Sequence, residues 1–424
     1  MERAYIKEIK QNKKVLLKGW ILEIRDLSKI KFIILRDYTG AVQCIIKDEK
    51  LFNEFSKLSL ESVIEITGIV KKAIVKSEEV SNNKLEIEIQ DFKLLNKAEK
   101  LPILPLEKSI TTGLSKRLDY RYLDLRKKEI KAIFKIQSTI INAFREFFYK
   151  NDFIEIQPPS IIATSTEGGT DLFEVKYFEK KTYLAQSPQL YKQMAAISLE
   201  KVFCTMTVWR AEKHNTIKHL NEIRQMDIEV AFADDFMVMK YLEDVVKYIC
   251  KKVNEDCKQE LEVLKMKIKI PSSKYLSYEE TISLLNKNKI NIKYGDDFDS
   301  DSEKKLCEIF PDTIIFIHSW PKSLKPFYIW SKGNITGGFD AIYGNMEISS
   351  GGQRVHIPDI LIQQLKEKNL NPKDFEWYVD AFRFGAPQHS GWSIGLERFT
   401  MALLKLDNIR EATLFPRDRE RLTP

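Results

Sequence analysis

The period of the hydrophobic residues changes after the first hundred residues of this chain, and that change limits the architecture more than any other feature. Between Val15 and about Leu95, apolar side chains recur at every second position in short runs: VLLKGWILEIRDL, KFIILRDYTGAVQCIIK, SVIEITGIVKKAIV and KLEIEIQDFKLL. The runs are broken by turn formers, DYTG and SNN. A period of two places successive side chains on opposite faces of a strand, so each run buries one face. From Lys128 to Tyr149, IKAIFKIQSTIINAFREFFY instead repeats its apolar residues every three or four positions, the spacing of one buried stripe on a helix. With 424 residues to place, two or three domains with separate cores are expected.

The strand-rich part predicts a small antiparallel barrel. Five strands in about 90 residues suit an OB-fold, a frequent binder of single-stranded nucleic acid, although the alternation alone also fits other small barrels. The formal net charge is +7, and its excess gathers in the first 50 residues. That bias fits a nucleic-acid partner and equally a merely soluble surface. Residues 100–126, KLPILPLEKSITTGLSKRLDYRYLDLR, carry two prolines and then a basic, tyrosine-rich stretch, and read as a hinge. The expected division is therefore a barrel over 1–102, a hinge over 103–126, and a larger domain over 127–424. In the last, FIEIQPPSII reads as a strand stopped by two prolines, and residues 261–330 as an inserted helical subdomain.

Five cysteines, Cys44, Cys204, Cys250, Cys257 and Cys307, form no CxxC pair, which argues against a disulfide framework or a zinc site. The N-terminal MERAYIKEIKQNKK lacks the apolar run of a signal peptide, and no stretch reaches the ~18 apolar residues of a membrane span. A cytoplasmic enzyme without a membrane partner is the expectation. The hydrophobic share of 43% excludes a disordered chain.

Charged and special residues gather inside otherwise apolar segments, where a lone charge is expensive to bury. In VWRAE, Arg210 and Glu212 fall on one face at period two; a guanidinium fork can clamp a phosphate, and a carboxylate can accept from an adenine amino group. The same spacing also describes a surface ion pair. In GLER, Gly395 permits close approach of a ligand, and Arg398 opens an apolar helix as a second phosphate clamp. In FDAIYGNMEISSGGQR, Asp340, Glu347 and Ser350 are hard oxygen ligands suited to Mg²⁺, and Arg354 follows a Gly-Gly bend. Two acids around a hairpin are also commonly just solvated. Lys192, between Gln189 and Gln193, needs an anion if it is buried, and Asp227 in QMDIEV is a candidate for it.

FIEIQPP, VWRAEKHNTIKHLNE and GWSIGLER, in this order, resemble motifs 1, 2 and 3 of the class II aminoacyl-tRNA synthetases. The segments ATSTEGGTDLFEV, LAQSPQLYKQM, ISSGGQRVH and LFPRDRERLTP resemble the aspartyl members of the compact archaeal and eukaryotic kind, so the likeness runs over nearly the whole chain. It implies an α+β architecture: an N-terminal OB-fold barrel that binds the anticodon, then a class II catalytic domain built on an antiparallel β-sheet flanked by helices. It implies activation of aspartate by ATP and transfer to the 3′ end of tRNA-Asp, with tRNA-Asn as a further acceptor in some members. It also implies Mg²⁺ as cofactor and a homodimer. On this resemblance Arg210 and Arg398 are the catalytic cations. ATP would lie against Arg210, Ala211, Glu212, Lys218, His219, Leu220, Glu347, Gly395, Leu396, Glu397 and Arg398. Aspartate would meet Glu167, Gln189, Leu190, Tyr191, Lys192, Arg210, Ser350 and Arg354. Glu347 and Ser350, with Asp340 beside them, would hold Mg²⁺, and Phe32 and Gln43 would meet the anticodon; a core phenylalanine is the plain alternative for Phe32.

Within the resemblance, Lys192 and Arg354 facing the substrate's side-chain carboxylate would reject neutral asparagine, which leaves buried charges unpaired. Related asparaginyl enzymes usually lack a lysine at this place. Some positions depart from the family pattern: Trp209 stands for Phe, Lys218 for Arg, and Pro158 for Thr before Pro159. Leu22 stands where a larger aromatic or His is common, at a position that affects discrimination between the two tRNAs. The rival readings are an asparaginyl enzyme and a synthetase-like paralogue that only binds.

Overall fold

The computed structural model describes residues 1–27, 30–106, 111–165 and 172–424, which gather into two compact units, Met1–Lys127 and Lys128–Pro424. In the first, strands β1 (Lys14–Leu27), β2 (Ile30–Arg36), β3 (Ala41–Ile46), β4 (Val63–Lys72) and β5 (Leu85–Asn96) close a barrel in the order β1-β2-β3-β5-β4. Strand β1 is long enough to serve two neighbours. Its first half pairs with β4 and its second with β2, and a bulge between Ile21 and Glu23 bends it from one to the other. Gly19 lies at this bend because a Cβ there would come within 2.3 Å of the Arg36 carbonyl oxygen. The alternation read in the sequence fills the inside with Leu17, Ile33, Leu35, Val42, Cys44, Ile66 and Ile87.

The stretch expected as a hinge is more built than its prolines suggest. Short helices span Leu114–Asp119 and Arg121–Asp124. Arg117 and Arg121 donate to the buried Asp124 carboxylate at 3.1 and 2.8 Å. The basic residues there serve a buried carboxylate instead of loosening the chain.

The second unit opens with helix α1 (Lys128–Lys150), whose buried Ile133, Ile136, Ile140, Ala143 and Phe144 follow the predicted stripe. Its centre is an eight-stranded sheet ordered β9-β10-β11-β12-β13-β8-β7-β6, formed by β6 (Ile154–Glu155), β7 (Lys201–Trp209), β8 (Glu222–Ala231), β9 (Ser272–Ser277), β10 (Thr313–His318), β11 (Gly338–Tyr343), β12 (Met346–Gln353) and β13 (His389–Gly395). The pairs at the two edges, β6·β7 and β9·β10, are parallel and the rest antiparallel. Helices α2 (Gln189–Leu199), α3 (Asp235–Asp256), α4 (Tyr278–Lys287), α5 (Ser300–Ile309), α6 (Pro358–Glu367), α7 (Glu376–Arg383) and α8 (Leu396–Leu404) flank it.

Residues 261–330 correct the expectation of an inserted helical subdomain. They do hold α4 and α5, but β9 and β10 lengthen the central sheet. In TIIFIH every residue but the last is buried, so it lacks the alternation by which a half-exposed strand is read. The five cysteines are free thiols, and no helix among the described residues is long and apolar enough to cross a membrane.

Candidate active site

Register builds the site. Gln225, Asp227 and Glu229 of β8 alternate on one face, opposite Gly395, Ser393 and Gly391 of β13. Ser350 and Gly352 of β12 lie opposite Ser393 and Gly391, and Asp340 and Gly338 of β11 lie opposite Ser350 and Gly352. The centre of this face is therefore glycine and serine, a low floor over which a ligand can lie. At Gly391 a Cβ would fall 2.2 Å from Glu229 Oε2, so the carboxylate itself occupies that space. The opposite face is apolar: Trp392 packs its ring 6.3 Å from that of Phe144 and donates Nε1–H to the Val238 carbonyl at 2.8 Å.

A bulge decides where the acidic residues point. Ala341 pairs with Ser349 but Ile342 with Glu347, so Ile348 is an extra residue. Three residues apart, Glu347 and Ser350 would lie on opposite faces of a regular strand; the bulge returns both to the floor. Asp340 pairs with Ser350 and so shares their face, but its carboxylate is bonded to Lys325 Nζ at 2.6 Å and it does not line the cleft. Burial and, next, the Asp340 charge push the Glu347 carboxyl up to about 7. A carboxylate so destabilised, beside a hydroxyl and a second acid, fits a divalent cation, which reverses both effects. Among the described residues no cluster of three His, Cys, Asp or Glu forms a ready-made metal cage.

A solvent-open cleft of about 670 Å³ brings together Arg210, Glu212, Lys218, His219 and Leu220 with Glu347, Ser350, Gly395, Glu397 and Arg398. Arg210 leaves the end of β7, where Asn221 staples the two arms of the following loop by donating to the Arg210 and Glu212 carbonyls at 2.7 and 2.9 Å. Among the described residues the nearest Arg210 ion-pair contact is Glu212 at 3.8 Å, and its buried Nε has no partner. Gln225 Oε1, of another cleft residue, is likewise unpartnered among the described residues. Arg398 has no hydrogen bond or ion pair among the described residues. Buried polar atoms without partners are uncommon, and on Arg210 and Gln225 a ligand can supply the missing bonds. Burial, and then the Arg398 charge, hold the His219 imidazole below its ordinary value, so it is neutral near pH 7. Ala211 is half-buried in the loop.

Several sequence-expected residues, in the cleft and beside it, already bond or pack within the protein. Lys218 bonds to Ser300 Oγ and Glu303 at 3.0 and 3.1 Å. Glu397 accepts from the Arg224 backbone N–H at 3.0 Å, and Leu396 is buried beside it. Leu190 packs with Phe327 and Leu361, and Tyr191 stacks on Trp377 at 5.5 Å. The last two were expected to touch aspartate; a helix turns by about 100° per residue, so Gln189, Lys192, Gln193 and Ala196 of α2 share one buried side and Leu190 and Tyr191 turn away from it. Glu167 lies outside the described residues.

Beside the cleft, Lys192 and Arg354 form a buried charge cluster. Lys192 Nζ lies 2.8 Å from Asp227 Oδ1 and 3.6 Å from Glu229 Oε2, and donates to the Trp392 carbonyl at 3.1 Å. Arg354 donates Nε–H and Nη2–H to the two Glu229 oxygens at 2.9 and 3.3 Å, leaving Nη1 without a partner among the described residues. Desolvation pushes the Glu229 carboxyl up, but the Arg354 and Lys192 charges outweigh it and hold the group below its usual range. Burial raises Asp227 despite Lys192.

The sequence singled out Asp227 but missed Glu229, although MDIEV places it two residues on, at the same period. It also missed the polar chain that fixes α2. Gln193 Oε1 accepts from Gln189 and from Tyr378 OH, both at 2.9 Å, and Gln193 Nε2 donates to His389 Nε2 at 2.9 Å. His389 Nδ1 must then carry the proton, since it faces the Pro387 carbonyl at 2.9 Å. These residues are scattered over 200 positions and carry no local signature.

Burial, more than any neighbouring charge, lowers the His389 pKa, so the folded chain holds it neutral. The unfolded chain takes up a proton below about 6.5 while the folded chain resists it, so stability is lost as pH falls through that value toward the folded pKa. His389→Gln cannot take this proton. Thermal unfolding between pH 7.5 and 5.5 is expected to fall less steeply for this variant than for the parent.

In the barrel, Phe32 and Gln43 share the outer face, with Phe32 opposite Arg25 and Ile45, and Gln43 opposite Ile34. Phe32 is half-buried and lies outside the barrel core; Gln43 donates to Glu86 at 3.0 Å.

Two family models match the chain: residues 15–95 match the OB-fold nucleic acid binding domain, and residues 113–419 match the class II tRNA synthetases (D, K and N). The chain is 42% identical to an aspartate–tRNA(Asp/Asn) ligase of Methanopyrus kandleri over 100% of both chains. It is 43% identical to an aspartate–tRNA(Asp) ligase of Pyrococcus furiosus over 99% of this chain and 98% of that one. Among solved structures, asparaginyl-tRNA synthetase from Pyrococcus horikoshii complexed with asparaginyl-adenylate is similar at a TM-score of 0.92 and 34% identity, covering 100% of both chains. With its OB-fold barrel and its glycine-floored antiparallel sheet, the chain belongs to the class II aminoacyl-tRNA synthetases of the aspartate, lysine and asparagine group.

Proposed function

We infer that this protein is an aspartate–tRNA ligase, which activates L-aspartate with ATP and passes it to the 3′ end of tRNA-Asp. The observation that carries the amino acid is the pair of buried cations, Lys192 and Arg354, beside a floor of small residues. Both keep donor capacity: the Lys192 ammonium, paired with Asp227 and more distantly with Glu229, has two short hydrogen bonds, and Arg354, paired with Glu229, has a free Nη1 among the described residues. An aspartate carboxylate completes both. Asparagine brings an N–H₂ donor to groups that only donate.

ATP then lies in the cleft, with Arg210 on the α-phosphate, Glu212 accepting from the adenine amino group, and Arg398 on the far phosphates. Glu347 and Ser350 would hold Mg²⁺, with Asp340, paired with Lys325, as a nearby acidic helper. When bound, Mg²⁺ would supply charge neutralisation to the phosphates. The aspartate α-carboxylate attacks the α-phosphorus in line, Arg210 stabilises the charge that develops, and pyrophosphate leaves; no protein nucleophile is needed. The 3′-terminal ribose hydroxyl next attacks the mixed anhydride and releases AMP. Phe32 stacks an anticodon base and Gln43 reads one on the barrel face.

The protein acts in the cytoplasm as a homodimer. Half-exposed Ile154, at the edge of the central sheet, and Ile161, beyond Pro158 and Pro159, suit burial against a second copy. Relatives of similar identity carry names with tRNA(Asp/Asn) and with tRNA(Asp) alone, so the amino acid is what they share. Aminoacylation of tRNA-Asp and tRNA-Asn transcripts side by side tests the reading: aspartate on tRNA-Asp is expected, and asparagine on tRNA-Asn alone would overturn it.

A further inference from the structure

Residues 261–330 carry no motif, yet helix α5 places one carboxylate where two parts of the cleft meet. Glu303, in the first turn of α5, lies 3.1 Å from Lys218 Nζ through Oε2. Through Oε1 it accepts the backbone N–H of Glu347 at 2.9 Å. Lys218 also donates to Ser300 Oγ at 3.0 Å and to the Asn345 carbonyl at 3.4 Å. Asn345 belongs to the turn joining β11 to β12, where Gly344 and Asn345 take φ of 59° and 69°. One side chain thus touches both the loop after β7 and the strand that bears the acids.

The two contacts differ in kind. The bond to the Glu347 backbone holds a strand within a sheet and has no reason to change. The Lys218 contact comes from a loop without helix or strand, and the two side chains keep 22% and 14% of their exposure. Such a pair is weak. Its ammonium also sits at the N-terminal turn of α5, where the helix dipole disfavours a cation. A polyphosphate in the cleft offers Lys218 more negative charge than Glu303 does, with no opposing dipole.

We propose that Glu303 is a positioning residue that fixes the strand carrying Glu347 and parks Lys218 until nucleotide phosphates draw the lysine away. This rests on reading the cleft as the ATP site. Glu303 and ATP then compete for one ammonium, and the competition raises the ATP concentration needed for half-saturation.

Aspartate-dependent ATP–pyrophosphate exchange by the whole protein tests this with Glu303→Gln, Glu303→Ala, Lys218→Ala and the double variant Lys218→Ala/Glu303→Gln. Glu303→Gln keeps an acceptor for the Glu347 N–H but loses its charge, so its KM for ATP falls about threefold with kcat unchanged. Glu303→Ala loses the acceptor as well, and its kcat falls about tenfold. Lys218→Ala raises KM for ATP, and adding Glu303→Gln to it moves KM no further. The proposal is overturned if Glu303→Gln leaves KM unchanged or raises it, if Glu303→Ala keeps the parent kcat, if Lys218→Ala leaves KM unchanged, or if the Glu303→Gln effect persists without Lys218. A parent protein with no aspartate-dependent exchange would instead overturn the functional reading itself.

Discussion

Lys192→Met is expected to lower kcat/KM for aspartate in pyrophosphate exchange by about a hundred- to a thousand-fold, while KM for ATP changes less than about threefold. The lysine is 1% exposed and shares Asp227 and Glu229 with one other cation, Arg354. Its loss leaves two buried carboxylates against a single guanidinium. Breaking a buried pair in this way costs about 3–5 kcal/mol, so the variant also unfolds at a lower temperature. The double variant Lys192→Met/Asp227→Asn separates the two effects, because it removes the stranded charge: its unfolding temperature recovers and its use of aspartate does not. Equal loss of aspartate and ATP kinetics would mean that Lys192 only holds α2 to the sheet.

The second large effect is expected at Arg210. Arg210→Ala should lower kcat by about 10²–10³, the usual cost of removing one group aimed at developing charge. Its unfolding should stay within about 0.5 kcal/mol of the parent, since among the described residues its nearest ionic contact is a half-exposed one at 3.8 Å and its Nε has no partner. The variant is the converse of Lys192→Met, with a large kinetic effect and a small structural one. Stopped-flow exchange with a thermal melt on the same sample checks both, and a melt lowered as far as that of Lys192→Met would make Arg210 structural.

The barrel was legible because strands with one wet face keep their alternation, and α1 because its stripe spans six turns. Strand β10 escaped because both faces are buried, which erases the period. The candidate site was legible where a motif is local: Arg210 and Glu212 meet Gly395 and Arg398 in one cleft, and Lys192 is buried against Asp227. It was not legible where geometry depends on pairing. The bulge at Ile348 that turns Glu347 and Ser350 to one side is a property of two strands together. The turning away of Leu190 and Tyr191 follows from helical phase, which a run of neighbouring residues does not display. Glu229, Gln193, His389 and Tyr378 come from four separate elements and meet only in the fold.

The central claim is that two buried cations select a negatively charged amino acid. It is tested most directly by ATP–pyrophosphate exchange with aspartate and with asparagine as alternative substrates at equal concentration. The account predicts exchange with aspartate and a rate with asparagine lower by at least about a hundredfold. Exchange that is equal with the two, or faster with asparagine, would contradict it.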